Sequence, residues 1–315
     1  MYISKFKYIL NNQGVLGLFR IIMMRLSRLS DYKNLKENDY ALDFIFEGNI
    51  KIKLPRVFIR EFFPGRQAMI RMKNNSDYTT RPTAEALFRK SIFEIYQSGY
   101  ICSDSSIIDI GSWIGDNSLV WSKYLSKNGK VLAIDPSYRN ISYGKLIAEV
   151  NKIDNIRWIE AVCAERSAIK LDFNGSIDHA SFKKTTSDNY VLSTTIDDIV
   201  KSEDVVIGFL HVDVEGFELS VLRGSEEVIL KDRPVIAFEQ HISKENFNEI
   251  SEFLKSFKYK IFMVNEVLPD CALDCRNFLA FPAEKGIPEL SEFDQSDERD
   301  IHIHPATLGS AIIEV

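Results

Sequence analysis

The sequence has few cysteines, no long apolar runs and no excess of positive charge. None of its four cysteines (Cys102, Cys163, Cys271 and Cys275) forms a CxxC pair, and the last two lack a second Cys/His pair at zinc-finger spacing. We therefore expect reduced, structural thiols and a cytoplasmic protein. A formal net charge of −6 argues against a general nucleic-acid binder, which must neutralise phosphates.

Near the N-terminus, arginines interrupt the apolar residues. Apolar side chains recur between positions 15 and 29 with Arg20, Arg25 and Arg28 among them, and this spacing predicts an amphipathic helix. The run is far shorter than the roughly 20 residues that span a bilayer, so no transmembrane segment is predicted. We expect the helix to pack on the protein, with peripheral membrane contact as the alternative. The sequence leaves the oligomeric state open.

Length and composition fit one large α/β domain with additions at both ends. The 315 residues are 45% hydrophobic and 27% charged, which is enough for an ordinary core. We divide them into an N-terminal extension (1–95), a domain (96–283) and a C-terminal tail (284–315). In the extension, alternating residues on both sides of Gly48 predict a hairpin, and a linking helix follows from residue 83. The polar tail predicts weak packing, with residues 301–315 docking back.

From residue 106 onward, short apolar segments alternate with helical patterns. Strands are predicted near 107–110, 130–134, 156–162, 208–214, 234–238, 259–264 and 277–281, and helices near 138–150, 218–230 and 244–257. This order predicts a mostly parallel, seven-stranded, Rossmann-like sheet with helices on both faces and an antiparallel pair at its edge. The polar segment 167–189 predicts a loop over the ligand site.

A glycine-rich turn follows the first strand of this sheet. Ligands of open α/β sheets bind outside the carboxyl ends of the strands. In the turn Asp109-x-Gly111-x-x-x-Gly115, Gly111 permits a sharp bend and Gly115 permits close packing of the next helix. Asp109 can accept a hydrogen bond from a ligand amine or order the loop. Asp135 ends the second strand, where an acid is placed to accept from both ribose hydroxyls.

The residue at position 113 distinguishes between two ligands that use this geometry. A dinucleotide fingerprint has glycine two residues after the first glycine, because the backbone must approach a pyrophosphate. Trp113 occupies that position here. S-adenosylmethionine (SAM) has no pyrophosphate, so the pattern favours SAM over NAD. We predict that the cofactor is bound by Asp109, Gly111, Ser112, Gly115, Asp116, Asn117, Asp135, Pro136, Glu160 and Ala161.

Two later strand ends carry acidic and histidine side chains. His211, Asp213 and Glu215 share one face of the fourth strand, and Glu239 and His241 at the end of the fifth would face the same pocket. Because buried carboxylates need partners, this grouping favours a functional role over a purely structural one. His211, Asp213, Glu239 and His241 are therefore the predicted catalytic residues. No metal is predicted; a divalent ion on Asp213, Glu239 and His241 is the alternative.

Taken together, these motifs resemble the FkbM family of SAM-dependent methyltransferases, over about residues 107–282. The resemblance rests on Ile108-Asp109-Ile110-Gly111 with Gly115, Asp135-Pro136, Ser193-Thr194-Thr195-Ile196-Asp197-Asp198, Val212-Asp213-Val214-Glu215-Gly216-Phe217-Glu218, Val221-Leu222-Arg223-Gly224 and Ala237-Phe238-Glu239. It implies a class I SAM-dependent methyltransferase fold and methyl transfer from SAM, typically to a hydroxyl of a sugar, glycan or secondary metabolite. A small-molecule or glycan acceptor is thus expected, and no nucleic acid.

Three positions depart from the family pattern. Trp113 and Ile114 replace the usual Ala-Asn pair, which implies a different hold on the methionine end of SAM. His211 stands where the family often has lysine, so the charge near the reaction centre differs.

Two other functions compete with the methyltransferase. A non-catalytic module with this fold need not keep the acidic strand ends, and an NAD-dependent sugar-modifying enzyme is disfavoured by Trp113.

Overall fold

The computed structural model describes most of the domain and parts of the extension and tail. The described residues are 42–54, 79–80, 85–175, 180–184, 190–241, 246–266, 275–292 and 309–315. The helix predicted between positions 15 and 29 lies outside them, as does Cys271. The other three cysteines are free thiols, as expected.

The hairpin predicted in the extension is confirmed. Strand β1 (Leu42–Ile45) pairs antiparallel with β2 (Lys51–Leu54), and β3 (Thr79–Thr80) adds to β1 in parallel. Gly48 has a φ of +68° in the turn, a conformation that glycine adopts without strain. The buried side chains of Phe44, Phe46, Ile52 and Leu54 pack together against the domain.

The remaining elements follow the alternation that the sequence predicts. The helices are α1 (Ala86–Gln97), α2 (Asp116–Trp121), α3 (Tyr138–Val150), α4 (Ile196–Glu203), α5 (Glu218–Arg223), α6 (Glu226–Asp232) and α7 (Asn246–Ser256). The strands are β4 (Ser106–Ile110), β5 (Val131–Asp135), β6 (Ile156–Glu160), β7 (Val162–Cys163), β8 (Lys170–Gly175), β9 (Ala180–Lys184), β10 (Val191–Thr194), β11 (Ile207–Val212), β12 (Val235–His241), β13 (Tyr259–Val264), β14 (Cys275–Pro282) and β15 (Ile312–Glu314).

The main sheet has eight strands in the order β15-β13-β14-β12-β11-β4-β5-β6. Strands β4, β5, β6, β11 and β12 are parallel, and β14 runs antiparallel between β12 and β13. The predicted count of seven is one too low, because residues 312–314 return to pair with β13. The expectation that the end of the tail docks back is thus confirmed for these residues. The central strands read as continuous apolar runs because both faces are covered.

Two predictions about local structure are wrong. Residues 167–189 are not a loop throughout, because β8 and β9 lie there in a four-stranded sheet with β7 and β10. The alternation of Lys170, Leu171 and Asp172 at the start of β8 is the strand signal that its polar composition conceals. The single helix predicted over 218–230 breaks at Gly224, where a Cβ would lie 2.1 Å from the carbonyl oxygen of Ala164.

None of the helices in the described residues has both the length and the apolar character that crossing a bilayer requires.

Candidate active site

The glycine turn lies directly against the strand that carries Asp213. Gly111 has a φ of +77°, and a Cβ on it would lie 1.7 Å from the carbonyl oxygen of Asp213. Gly115 has a φ of +81°, and a Cβ there would lie 2.3 Å from the Trp158 ring. Glycine is therefore required at both positions, because the backbone is left-handed there and because a side chain would meet a neighbouring group. The turn brings the predicted cofactor site and the predicted catalytic residues into contact.

Ser112, Asp116 and Asn117 surround the start of α2. The Ser112 side chain is buried, and no described group lies within hydrogen-bonding distance of its hydroxyl. A buried polar atom of this kind is a ready contact for a bound polar ligand. Asp116 is partly exposed, and burial raises its pKa to about 6 although the Arg89 guanidinium opposes the shift. The buried Asn117 amide oxygen accepts a hydrogen bond from Arg89 Nε at 3.1 Å.

Most acceptor positions of the Asp135 carboxylate are occupied by protein groups that hold the turn and the start of α3 in place. Its carboxylate accepts hydrogen bonds from Trp113 N at 3.0 Å, Ser137 N at 2.8 Å and Asn140 Nδ2 at 3.1 Å. Burial raises the pKa of Asp135 to about 6, and these hydrogen bonds oppose the shift. A carboxylate has about four acceptor positions, so one remains for a ligand hydroxyl. Pro136 follows it and is partly exposed.

The next strand end completes the predicted cofactor set. Glu160 ends β6 beside Asp135 and is exposed, and the backbone N–H of Ala161 donates to the Asp135 carbonyl oxygen at 3.3 Å. All ten predicted cofactor residues therefore lie at the carboxyl ends of β4, β5 and β6, in the turns that follow or at the start of α2. Their binding of a cofactor stays a prediction.

Trp113 and Ile114 belong to the contact between the turn and the N-terminal hairpin. Ile114 is buried in one cluster with Phe44, Phe46 and Leu54, and Trp113 packs against that cluster. Trp113 adopts a left-handed backbone with a φ of +48°, which aims its N–H at Asp135. The structure thus gives the two apolar residues a packing role, because an Ala-Asn pair would offer the hairpin less apolar surface.

Asp109 and His211 form a buried pair beneath the turn. Asp109 Oδ1 lies 2.8 Å from His211 Nδ1, and Asp109 Oδ2 accepts a hydrogen bond from the Ser118 hydroxyl. These contacts support the loop-ordering role of Asp109. Burial is the largest effect and opposes the charge on His211, but the hydrogen bond with Asp109 and the negative charges of Asp109, Asp213 and Glu85 together outweigh it and raise the pKa of the imidazole. His211 is only 4% exposed and packs against Phe88 and Trp121, which favours an orienting role over direct contact with a substrate.

Asp213 and Glu239 form a hydrogen-bonded carboxyl pair at the ends of two adjacent parallel strands. Asp213 directly follows Val212, which pairs with Phe238, so it lies beside Glu239. Burial raises the pKa of Asp213 well above its usual range, and the negative charge of Glu239 raises it further. Burial, with Glu85 nearby, raises the pKa of Glu239 to about 8. Like charges this close favour one shared proton, and both side chains remain partly exposed.

Three further residues lie beside this pair, and no local sequence pattern predicts the positions of Cys275 and Asn277. The Cys275 thiol donates a hydrogen bond to Glu239, and Asn277, which pairs with Glu239 across the strands, donates to Glu85 Oε1 at 3.1 Å. Both come from β14, which returns beside β12 only in the folded sheet. The sequence does contain a pattern that marks Glu85 and Arg89. The two residues have the i,i+4 spacing of a helical ion pair, and the arginine interrupts the apolar face of α1.

The placement of His241 is described for its backbone alone. Its backbone pairs with Cys275, at the end of β12 and two residues beyond Glu239. Its catalytic role stays a prediction, and so does the alternative of a divalent ion on Asp213, Glu239 and His241. Among the side chains that the structure describes, no three His, Cys, Asp or Glu groups are arranged to hold a metal ion.

Carboxyl groups in and beside the site have raised pKa values, so we expect the stability of the fold to depend on pH. The folded-state pKa is about 6 for Asp116 and Asp135, about 7 for Glu266 and about 8 for Glu239, chiefly because burial disfavours the charged forms. The folded protein therefore binds more protons than the unfolded chain above about pH 4.5, and stability is lost as pH rises through these values. The raised pKa of His211 acts in the same direction. We expect Tm, measured by calorimetry without ligand, to fall between about pH 5.5 and 8.5.

The matched variant for this measurement is Glu266→Gln. Glu266 accepts a hydrogen bond from the backbone N–H of Phe88 at 3.1 Å, and a carboxamide oxygen preserves this contact without titrating. The decline of Tm with pH should be shallower in the variant. A Tm that rises over this range in the wild type would contradict the assigned protonation states.

The fold and the site together define a class of protein. A mostly parallel sheet in this order, with β14 antiparallel, a glycine turn after β4 and acids at the following strand ends, is the class I SAM-dependent methyltransferase fold. The sequence profile of the methyltransferase FkbM domain matches residues 109–261. This part of the chain, just under half of it, is similar to the FkbM family of methyltransferases.

Solved structures of several methyltransferases are similar to this chain. The methyltransferase FkbM from Methylobacillus flagellatus KT is 19% identical over 56% of this chain and 44% of its own, with a TM-score of 0.42. This chain thus spans less than half of that protein. A precorrin-6y C5,15-methyltransferase from Geobacter metallireducens GS-15 is 14% identical over 56% and 79% (TM-score 0.36). An rRNA methylase from Streptococcus thermophilus is 12% identical over 61% and 94% (TM-score 0.40). No curated protein matched in sequence.

Proposed function

We propose that this protein transfers the methyl group of SAM to a hydroxyl of a sugar, glycan or secondary metabolite. The observation that carries the proposal is the Asp213–Glu239 pair, which is partly exposed and lies against the glycine turn through the contact of Gly111 with Asp213. Carboxyl groups with raised pKa values, placed beside a cofactor turn, suit the removal of a hydroxyl proton.

The residues at the turn fit SAM. The Ser112 hydroxyl is buried without a partner among the described groups, Asp135 has an acceptor position left, and Asp116 presents a partly exposed carboxylate. When bound, SAM supplies a methyl group on a positively charged sulfonium. The carboxylates at these strand ends favour such a cation, whereas they would repel the pyrophosphate of a dinucleotide.

In the proposed reaction, the carboxyl pair orients the acceptor and takes its proton. The ionised carboxylate of the pair would accept a hydrogen bond from the acceptor hydroxyl and so orient its oxygen toward the cofactor. The same carboxylate would take up the hydroxyl proton when SAM supplies its methyl group. The other carboxyl group carries the shared proton and holds its partner in place through their hydrogen bond. His211, held by Asp109, orients the strand end below the pair.

The charge of the site favours a neutral or cationic acceptor. Glu85 and Glu215 add negative charge beside the pair, since both raise the pKa of Glu239. A polyphosphate or an RNA backbone would meet repulsion there, in a chain whose formal net charge is −6. Neutral polyols and aminosugars would not.

Calorimetric titration tests the choice of cofactor. We expect the protein to bind S-adenosylhomocysteine (SAH) and not NAD, because Trp113 blocks the approach that a pyrophosphate needs. Binding of NAD without SAH would overturn the proposal in favour of a sugar-modifying dehydrogenase. Binding of SAH with no transfer to any acceptor would favour the non-catalytic module.

The nature of the acceptor is tested with SAM that carries an isotopically labelled methyl group. The label should enter a neutral or aminosugar pool and remain there after mild alkali, because a methyl ether resists hydrolysis and a methyl ester does not. RNA and protein are incubated in parallel. Labelling of RNA alone would contradict a sugar, glycan or metabolite acceptor, and a label lost in alkali would contradict methylation of a hydroxyl.

A further inference from the structure

Helix α1 precedes the segment that matches the FkbM domain, yet one of its side chains contacts the start of α2, the helix that follows the glycine turn. Arg89 is only 4% exposed, and its guanidinium contacts acidic, amide and aromatic side chains. Nη2 lies 2.9 Å from Glu85 Oε2 and 3.1 Å from Asp116 Oδ2, and Nε donates to Asn117 Oδ1 at 3.1 Å. The Phe46 ring lies 5.8 Å from the centre of the guanidinium.

These contacts join separate parts of the chain at one point. Asp116 and Asn117 are the first two residues of α2, the helix that follows the glycine turn. Phe46 comes from the N-terminal hairpin, and Glu85 precedes α1. Glu85 also accepts a hydrogen bond from Asn277, the cross-strand partner of Glu239. Arg89 therefore links the cofactor turn to the neighbourhood of the carboxyl pair.

The chemistry of this position requires arginine. A planar guanidinium offers several donors in a fixed fork and can hold two acids and an amide at once, whereas lysine places one point charge on a flexible stem. Removal of the guanidinium would leave the Asp116 carboxylate without its ion-pair partner in a largely buried setting.

We propose that Arg89 is a positioning residue of the cofactor site, which fixes the start of α2 and keeps the Asp116 carboxylate ionised for the cofactor. This inference rests on the proposed function, since it assigns the orientation of residues that would hold SAM. It also makes the segment before the family match part of the active site. Asp116 in turn faces Arg89, Glu85 and Asp109.

The test compares Arg89→Lys and Arg89→Met with Arg233→Lys. Arg233 forms a two-point ion pair with Glu284 at the start of β12, the end of that strand away from the site, and so provides the same substitution outside the site. SAH affinity is measured by calorimetry between about pH 5 and 8, with Tm recorded for each protein. We expect both Arg89 variants to bind SAH roughly 10- to 100-fold more weakly, the range for loss of a charge-assisted hydrogen bond. Arg233→Lys should bind like the wild type.

The pH profile separates positioning from a general effect on folding. In the wild type, SAH affinity should fall as pH drops below about 6, where Asp116 takes up a proton. Without the guanidinium, this decline should begin about one pH unit higher in Arg89→Met, since an opposite charge lowers a carboxyl pKa by one unit or more. Arg89→Lys, which retains a positive charge, should show a smaller shift and remains informative if the methionine variant fails to fold.

The outcomes distinguish this inference from the proposed function. A wild-type protein that does not bind SAH would overturn both. A wild type that binds SAH, with variants of unchanged affinity and pH midpoint, would overturn the role of Arg89 alone. Weaker binding that only follows a lower Tm, with no change in the pH midpoint, would also overturn it in favour of a structural role.

Discussion

Replacement of Asp213 by asparagine is expected to reduce kcat by about 10²- to 10⁴-fold, the usual contribution of a positioned general base. The carboxamide has nearly the same shape but cannot take up the hydroxyl proton. SAH binding should persist, because the contact of Gly111 with position 213 is made by the backbone carbonyl. Steady-state kinetics with the identified acceptor and SAH calorimetry measure the two effects separately.

The matched control is Asp232→Asn, at the end of α6 beside the opposite end of β11. Asp232 accepts a hydrogen bond from the backbone N–H of Ile207, where β11 begins. This variant carries the same chemical change away from the site, so its kcat should equal that of the wild type. Unchanged turnover in Asp213→Asn would remove this carboxylate from the mechanism.

Glu239→Gln distinguishes the roles of the two carboxyl groups. The neutral carboxamide removes the negative charge that raises the pKa of Asp213, so the ionised form of Asp213 should persist to lower pH. The acidic limb of the activity profile should therefore move to lower pH while turnover is retained. A loss of turnover as large as that of Asp213→Asn, with no shift, would make Glu239 the base.

Replacement of Gly111 by alanine is expected to remove SAH binding and to destabilise the fold. The added Cβ would lie 1.7 Å from the Asp213 carbonyl oxygen, so β4 and β11 could not keep their spacing at the site. The left-handed backbone costs about 1–2 kcal/mol for a residue with a Cβ, and the forced shift costs about 1–3 kcal/mol or more. We expect Tm to fall by roughly 5–15 °C.

Gly99→Ala separates the two costs. Gly99 has a φ of +74°, close to that of Gly111, but no atom lies within 4 Å of the Cβ it would gain. This variant should show only the conformational cost, about 1–2 kcal/mol, and SAH affinity equal to the wild type. Equal destabilisation of the two variants would mean that the contact with Asp213 does not constrain the turn.

The sequence predicts the elements of the domain well. Parallel strands buried on both faces are continuous apolar runs, so β4, β5 and β11 could be located from composition alone. The glycine spacing and the acids at strand ends then place the cofactor turn and Asp213 at one edge of the sheet. The errors occur at 167–189, where polar composition conceals two strands, and at Gly224, where the predicted helix ends against the backbone of a distant segment.

The opening turn illustrates what the sequence alone determines. Gly111, Gly115 and Trp113 indicate a tight strand-to-helix turn and disfavour a pyrophosphate, since these properties depend on local backbone freedom and side-chain size. Whether Asp109 and Asp135 point to a ligand or to the protein depends on groups far away in the chain. The structure places His211 against Asp109 and the Trp113 N–H against Asp135.

Only the tertiary structure decides which distant residues complete the site. Arg89 from α1, Cys275 and Asn277 from β14, and Phe46 from the hairpin meet at the cofactor turn or the carboxyl pair. No local pattern could bring them together, because their contacts depend on strand order and on the packing of the extension. The physical reason is that secondary structure and turns follow from local preferences, whereas hydrogen bonds between distant groups depend on the distances that the folded sheet sets.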